Sequence, residues 1–180
     1  MILRLLSMVF GLSLMLGCAS EPTSSVNPDF NFTQVKTFSL FPRESRFSDI
    51  QSLSDYERNR IELAIEQKME ESGFDYKPLE DADVVISYFL VGRSLRELQT
   101  YNKLVRACLG CAQAEQQRLN QDIRSSMLVI DVLDSVKRRS VFRGFVKVDL
   151  DIENSSDENQ QEIIAAVDQI LGQLPSNTVQ

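Results

Sequence analysis

The chain contains no histidine among its 180 residues. This absence excludes Ser–His and Cys–His nucleophile arrangements, and it removes the side chain most used for proton transfer near neutral pH. Only three cysteines are present, and 26 acidic residues outnumber 19 basic ones, which gives a net charge of −7. Because nucleic acid and anionic head groups repel an acidic surface, no nucleic-acid partner is expected. No pattern of residues points to a cofactor.

The chain also lacks an apolar run long enough to cross a bilayer. Its N-terminal run covers residues 5–16, whereas a transmembrane helix needs about 20 residues. Arg4 precedes the run, and Gly17 and Cys18 follow it. A charged start, a short apolar run and a small residue before the cleavage point are typical of a secretory signal, here residues 1–17.

The cysteine directly after Gly17 makes this segment resemble a bacterial lipoprotein signal. In such proteins that cysteine, Cys18 here, is lipidated and becomes the new N-terminus, so the resemblance implies anchoring by acyl chains such as palmitate. The next residue is Ala19 rather than aspartate, which in proteins of this kind implies export to the outer membrane. We therefore expect an envelope protein of a Gram-negative bacterium, lipid-anchored in the outer membrane and facing the periplasm.

Composition predicts one domain after the signal. Residues 18–28 are small and polar and include two prolines, which is typical of a flexible, lipidated tether. Residues 29–175 are enough to bury a hydrophobic core, so they are expected to form a single domain, with a C-terminal tail at 176–180.

The spacing of apolar residues predicts the order strand, helix, strand, a variable excursion, strand, strand and helix. Strands are expected over 34–41, 84–91, 127–133 and 141–148, helices over 55–72 and 156–173, and the excursion over 93–125. The predicted strand at 84–91 is apolar at both odd and even positions, which is typical of a strand in mid-sheet that is covered on both faces. This pattern predicts an α+β fold: a two-layer sandwich with an about four-stranded, mostly antiparallel sheet and two main helices on one face.

The sequence makes two further predictions, one for the last strand and one for the excursion. In the last strand, alternation places Val141 with Arg143 and Phe145 on one face, opposite Phe142. In the excursion at 93–125, the spacing of apolar residues favours a helix in the first half.

Several short motifs occur in order along the chain. They are Asp29-Phe30, Val35-Lys36-Thr37-Phe38, Gly73-Phe74, the run from Asp81 to Tyr88, the run from Met127 to Asp134, Val141-Phe142-Arg143-Gly144 and Leu174-Pro175. Behind a lipoprotein signal, this series resembles bacterial lipoproteins that carry the domain of unknown function 4136. The resemblance implies no chemistry, because the family brings no established activity or catalytic residues. The excursion differs, since it is charged and carries two cysteines where family members are often rich in glycine and tyrosine.

Cys108 and Cys111 are the chemically distinctive pair. In an oxidising compartment we expect them to form a local disulfide. A thiol–disulfide redox protein built on this pair is the alternative, and it requires an exposed thiol with a lowered pKa. Two cysteines without histidine cannot complete a zinc site, and Ala112 after the second cysteine excludes c-type haem attachment.

Two charged clusters have a plain interpretation. Glu80, Asp81 and Asp83 are interpreted as a solvated turn rather than a cation site, because a calcium loop needs further ligands and a glycine. The basic turn at 137–139 is interpreted as a feature that favours solubility rather than one that contacts lipid phosphate.

The sequence therefore predicts a lipid-anchored envelope module that binds or scaffolds and is not an enzyme. The expected partners are the membrane, through the N-terminal acyl chains, and another envelope protein. No catalytic, cofactor or metal site is expected. Two alternatives stay open: a periplasmic redox protein that uses Cys108 and Cys111, and a carrier that holds a hydrophobic ligand between sheet and helices, which needs an apolar cavity of several hundred Å³.

Overall fold

Two strands precede each of the three helices in the computed structural model, which describes residues 21–43, 50–51, 53–92, 95–107, 122–150 and 153–175. The strands are β1 (Thr23–Val26), β2 (Thr37–Leu40), β3 (Asp75–Tyr76), β4 (Val84–Leu90), β5 (Met127–Asp134) and β6 (Arg139–Lys147). The helices are α1 (Asp55–Glu71), α2 (Leu95–Leu104) and α3 (Ser156–Leu171).

All these strands belong to one sheet with the order β1-β6-β5-β4-β2-β3. The strands β4, β5 and β6 pair antiparallel, and β1 adds antiparallel to β6. In contrast, β2 pairs parallel with β4 and β3, because α1 carries the chain back across the sheet before β4 begins. The α+β class is confirmed, but the expected number of about four strands was too low, and the sheet is mixed.

The two long helices start with the same local arrangement. The Ser54 side chain accepts the N–H of Glu57, whose carboxylate accepts the Ser54 N–H at 2.8 Å. Ser155 and Glu158 repeat this capping box at α3, with the return bond at 2.7 Å. Each box satisfies two N–H groups that the helix leaves unpaired, and its carboxylate lies at the positive end of the helix dipole. The predicted helices at 55–72 and 156–173 are confirmed to within two residues.

The helices α1 and α3 cover one face of the sheet, where the larger core lies. Its most buried members have no exposed surface, and they are Phe38, Ile65, Ile86, Ile130 and Ile170. On the other face, α2 covers a smaller apolar cluster. The prediction that the strand at 84–91 is covered on both faces is confirmed, and the first half of the excursion is helical, as expected. Because α2 packs on the second face of the sheet, the structure has three layers there instead of the two that were predicted.

The strand β1 corrects the expected tether. Residues 18–28 were expected to be flexible, but Thr23–Val26 pairs with β6 along its whole length. All its residues are exposed, so β1 is held by backbone hydrogen bonds of the ladder rather than by burial. An edge strand of this kind leaves no alternation of apolar residues in the sequence. β3 was missed for the same reason: it has two exposed residues.

A β-bulge corrects the expected face of Val141. Val132 pairs with Phe142, but Leu133 pairs with Ser140, so Val141 is the extra residue of the ladder. An extra residue shifts the alternation by one position. As a result, Val141 packs in the larger core together with Phe142, rather than on the face that α2 covers.

Candidate functional site

Two opposite charges are buried under α2 in the middle of the sheet. Asp131 on β5 faces Arg143 on β6, and their side chains are 0% and 4% exposed. Nε and Nη2 of Arg143 donate to Oδ1 and Oδ2 of Asp131, each at 2.9 Å. A bidentate pair of this kind fixes the orientation of the guanidinium as well as its position.

The Asp131 carboxylate has two further donors. Tyr101 on α2 donates its hydroxyl to Oδ2 at 2.9 Å, and Ser140 on β6 donates to Oδ1 at 2.6 Å. Each carboxylate oxygen therefore accepts two hydrogen bonds. Because its acceptor sites are occupied and it has no exposed surface, the carboxylate is not placed to take a proton from a substrate. We infer that Asp131 positions the groups around it.

The protonation states around Asp131 are fixed. Burial raises the pKa of the Tyr101 hydroxyl well above its ordinary value, and the charge of Asp131 raises it further. Burial alone lowers the pKa of Arg143, but the Asp131 carboxylate outweighs burial and raises it. Tyr101 therefore stays neutral and Arg143 stays charged at physiological pH.

Two guanidinium groups nearby keep unused donors. Nη1 of Arg143 and Nε of Arg139 are buried, and neither has an acceptor among the residues that the structure describes. A buried donor without an acceptor loses its hydration and gains nothing in exchange. Because these two N–H groups have almost no accessible surface, an acceptor in solution does not reach them in this structure.

Both arginines line an open cavity of about 200 Å³ formed by residues 25–27, 106–107 and 139–143, which we call the basic cleft. Its three segments are joined by backbone hydrogen bonds. Ser140 N–H donates to the Val105 carbonyl at 2.9 Å, and Asn27 N–H donates to the Val141 carbonyl at 2.8 Å. The cleft therefore depends on how the ends of β1 and α2 meet the start of β6.

Arg106 lines the cleft from an unusual backbone position. Its φ is +48°, in the left-handed region where a helix usually ends with glycine. Ala107 N–H donates to the Asn102 carbonyl at 3.1 Å, as in a helix C-terminal cap. Ser126 and Arg138 also have positive φ, so the strain at Arg106 does not by itself assign the side chain a role.

The sequence-predicted cysteine sites lie outside the described residues. Cys18, Cys108 and Cys111 are among them, so lipidation, the disulfide and redox activity stay predictions, as does the tail at 176–180. Within the described part of the chain, no group of three or more His, Cys, Asp or Glu side chains could hold a metal ion.

One residue of the acidic cluster, Asp83, also forms hydrogen bonds to a neighbouring strand. Asp83 accepts the backbone N–H groups of Lys36 and Thr37 at 2.9 and 3.0 Å, and its own N–H donates to the Thr37 hydroxyl at 2.9 Å. Although burial alone raises the pKa of Asp83, these hydrogen bonds hold it below its ordinary value. Asp83 therefore joins the start of β2 to the start of β4, although it is exposed like Glu80 and Asp81.

The basic turn divides between two environments. Lys137 and Arg138 are exposed, in agreement with a role in solubility, but Arg139 is half-buried and lines the basic cleft. The sequence carried no clear signal for the neighbouring ion pair. The turn pairs Asp134 with Arg139, and only the bulge at Val141 brings Arg143 rather than Phe142 opposite Asp131. No signal identified Arg106 either, because its place depends on where α2 ends relative to β6.

Comparisons with known proteins identify the family. A family model described as Domain of unknown function (DUF4136) matches residues 22–176. The chain belongs to this family. None of the curated proteins with which the chain was compared matches it. In the described regions, every helix is too short or too polar to cross a membrane.

Solved structures show similar folds at low sequence identity. A DUF4136 family protein from Bacteroides thetaiotaomicron VPI-5482 is 14% identical with a TM-score of 0.59, covering 90% of this chain and all of the other. A PDZ domain protein from Parabacteroides distasonis ATCC 8503 is 12% identical with a TM-score of 0.52, covering 87% of this chain and 36% of that one. A PelC dodecamer from Paraburkholderia phytofirmans is 9% identical with a TM-score of 0.46, covering 84% of this chain and 94% of that one.

Proposed function

We propose that this DUF4136 protein is a lipid-anchored module of a Gram-negative outer membrane, facing the periplasm, whose domain binds another envelope component without catalysing a reaction. The observation that carries the proposal is the N-terminal segment. Arg4, a short apolar run and Cys18 directly after Gly17 form a pattern typical of a lipidated, exported protein.

The position of β1 determines how closely such an anchor would hold the domain. β1 starts at Thr23, so only residues 19–22 separate it from Cys18. An extended chain spans at most about 3.6 Å per residue, which limits the distance from Cys18 to Thr23 to about 18 Å. Acyl chains on Cys18 would therefore keep the sheet beside the bilayer surface, where it meets partners in the same membrane at a raised effective concentration.

The described site supports binding more than catalysis. The Asp131 carboxylate is saturated by four donors, and no histidine is present to act as a general base. The basic cleft has a mixed lining that includes three arginines, and its volume of about 200 Å³ is below the several hundred Å³ that a hydrophobic-ligand carrier needs. No described contact favours the redox alternative.

Mass spectrometry of the N-terminus tests the anchor. We expect the mature protein to begin at an acylated Cys18 and to fractionate with the outer membrane, and we expect Cys18→Ser to lose both properties. A variant with Cys108→Ser and Cys111→Ser is the matched control, because it removes two thiols and keeps the anchor. An unmodified Cys18, or wild-type protein free in the soluble fraction, would contradict the proposal.

Site-specific photo-crosslinking in intact cells tests binding by the domain. Val26 beside the basic cleft and Tyr76 at the opposite edge of the sheet are both exposed, by 39% and 48%. A crosslinker at Val26 is expected to capture a discrete envelope component, and one at Tyr76 is not. Equal yields at the two positions, or no product at either, would count against a binding role for the cleft.

A further inference from the structure

We propose that the basic cleft binds a phosphate group, carried either by a free phosphorylated solute or by a lipid headgroup. The proposal concerns the folded domain, so it does not depend on acylation of Cys18. It rests on the charge and the size of the cleft.

The charge of the cleft is unlike that of the rest of the protein. Asp131 neutralises Arg143, but within the described residues neither Arg106 nor Arg139 forms an ion pair. Two positive charges therefore remain in a chain whose net charge is −7. A phosphate monoester carries about −1.5 to −2 at neutral pH, so it balances this excess better than a single carboxylate does.

The carboxylate nearest to Arg139 along the ladder is already engaged. Asp134 pairs with Arg139 in the register of β5 and β6. Its Oδ1 accepts the backbone N–H groups of Val136 and Lys137 at 2.9 and 3.0 Å. Asp134 is therefore part of the turn, and the Arg139 side chain lines the cleft.

Arg143 is a fixed part of the cleft. Its two hydrogen bonds to Asp131 hold its guanidinium plane in place. Its Nη1 and Nε of Arg139 lack an acceptor in the described part of the chain, but both are buried, so a phosphate in the cleft would be bound by the remaining N–H groups of Arg106 and Arg139. Guanidinium groups match the geometry of phosphate oxygens, which accept two parallel N–H groups.

The size of the cleft limits what it can enclose. Its volume of about 200 Å³ is smaller than the roughly 300–1,000 Å³ of pockets that enclose a drug-sized ligand. At about 30 Å³ per water, it holds on the order of seven waters. This space suits a phosphate group with a few attached atoms, so the cleft would recognise the group and leave the remainder of the molecule outside.

Equilibrium binding of inorganic phosphate to the purified full chain in detergent tests the proposal. We expect saturable binding that weakens at least tenfold in the variant with Arg106→Gln and Arg139→Gln, because each charge-assisted hydrogen bond to phosphate contributes about that factor. The matched control is Lys137→Gln with Arg138→Gln, which removes the same charge from exposed positions beside the cleft. This control is expected to change affinity by less than about twofold. Circular dichroism and melting temperature confirm that both variants fold.

Vesicles distinguish the two sources of phosphate. Competition by vesicles that contain phosphatidic acid, whose headgroup is a phosphate monoester, and not by vesicles of phosphatidylcholine alone, would assign the site to an anionic lipid headgroup. Phosphate binding that neither vesicle disturbs would assign it to a free solute. No saturable phosphate binding at about 10 mM, or equal weakening in the cleft variant and in the turn control, would overturn the proposal. Neither result bears on the lipid anchor, which the N-terminal mass measures separately.

Discussion

The two faces of the sheet bury their side chains in different ways. Under α1 and α3, the centre of the core is apolar, as Phe38 and Ile65 show, and the charged Glu62 lies at its rim. Under α2, the centre holds Asp131 and Arg143. An apolar core needs only close packing, whereas a buried ion pair must satisfy its donors and acceptors and adds little stability over apolar residues of equal volume. The charged face is better explained by the site that it builds than by stability.

Breaking the ion pair is expected to have the largest effect. Asp131→Ala leaves Arg143 buried without a counter-charge, so the free energy of unfolding is expected to fall by about 3–5 kcal/mol. Replacing both partners, as Asp131→Leu with Arg143→Met, is expected to recover part of this loss because no unpaired charge remains. Urea unfolding followed by circular dichroism measures both. A double variant as unstable as the single one would mean that packing, not charge, dominates this face.

The apolar face is expected to be sensitive to added volume instead. A Cβ on Gly144 would lie 2.5 Å from Cγ2 of Ile170 on α3, and a β-branched side chain has little freedom to move. Gly144→Ala is expected to lower the free energy of unfolding by about 1–3 kcal/mol. In an Ile170→Ala background the same change is expected to cost less, because the obstructing methyl group is absent. Equal costs in both backgrounds would argue against close packing of α3 on β6.

One chemical change can be made on both faces. Tyr101→Phe removes a donor from the buried Asp131, while Tyr88→Phe removes the donor to Glu62, which still pairs with Arg43. We expect losses of about 1–2 kcal/mol for Tyr101→Phe and below about 1 kcal/mol for Tyr88→Phe. Thermal and urea unfolding of the two variants measure the two losses of stability. A larger loss for Tyr88→Phe than for Tyr101→Phe would contradict the contrast between the faces.

The smallest effect is expected at Asp83, and it depends on pH. Its pKa is lower in the folded state than its ordinary value of 3.8. Its charged form therefore stabilises the fold above pH 3.8, and this contribution is lost as the pH falls through the lowered pKa. Asp83→Asn is expected to be slightly less stable than wild type at pH 7, with the difference shrinking as the pH falls below 3.8. Solvent screening keeps the difference small because Asp83 is exposed. Urea unfolding midpoints of both proteins measured from pH 7 downwards test this. A difference in stability that grew on acidification would refute the stabilising role of the Asp83 charge.

Much of the apolar face could be predicted from the sequence. The capping residues Ser54 and Ser155 and the helical spacing of apolar residues located α1 and α3, because helix signals are local. The hairpin of β5 and β6 follows from two alternating runs around one turn. The edge strands β1 and β3 could not be found this way, since backbone pairing of exposed residues leaves no apolar pattern.

The charged face was predictable only in part. The order strand, helix, strand from β2 to β4 is compatible with parallel pairing. The pairing of Asp131 with Arg143 was not predictable, because the register at the turn places Asp131 opposite Phe142 unless a bulge intervenes. The cleft itself depends on tertiary placement. Arg106 reaches it only because α2 ends beside β6, and Val141 changes face only because of the bulge, and neither fact has a local signal.

Arg106→Gly tests most directly whether the charged face is arranged for binding rather than for stability. Glycine adopts the φ of +48° found here without the strain of about 1 kcal/mol that a side chain costs. Without phosphate, the melting temperature is therefore expected to equal or exceed that of the wild type. With phosphate, the rise in melting temperature is expected to be smaller in the variant than in the wild type. Equal rises in both proteins, or a variant that is much less stable without phosphate, would contradict this account.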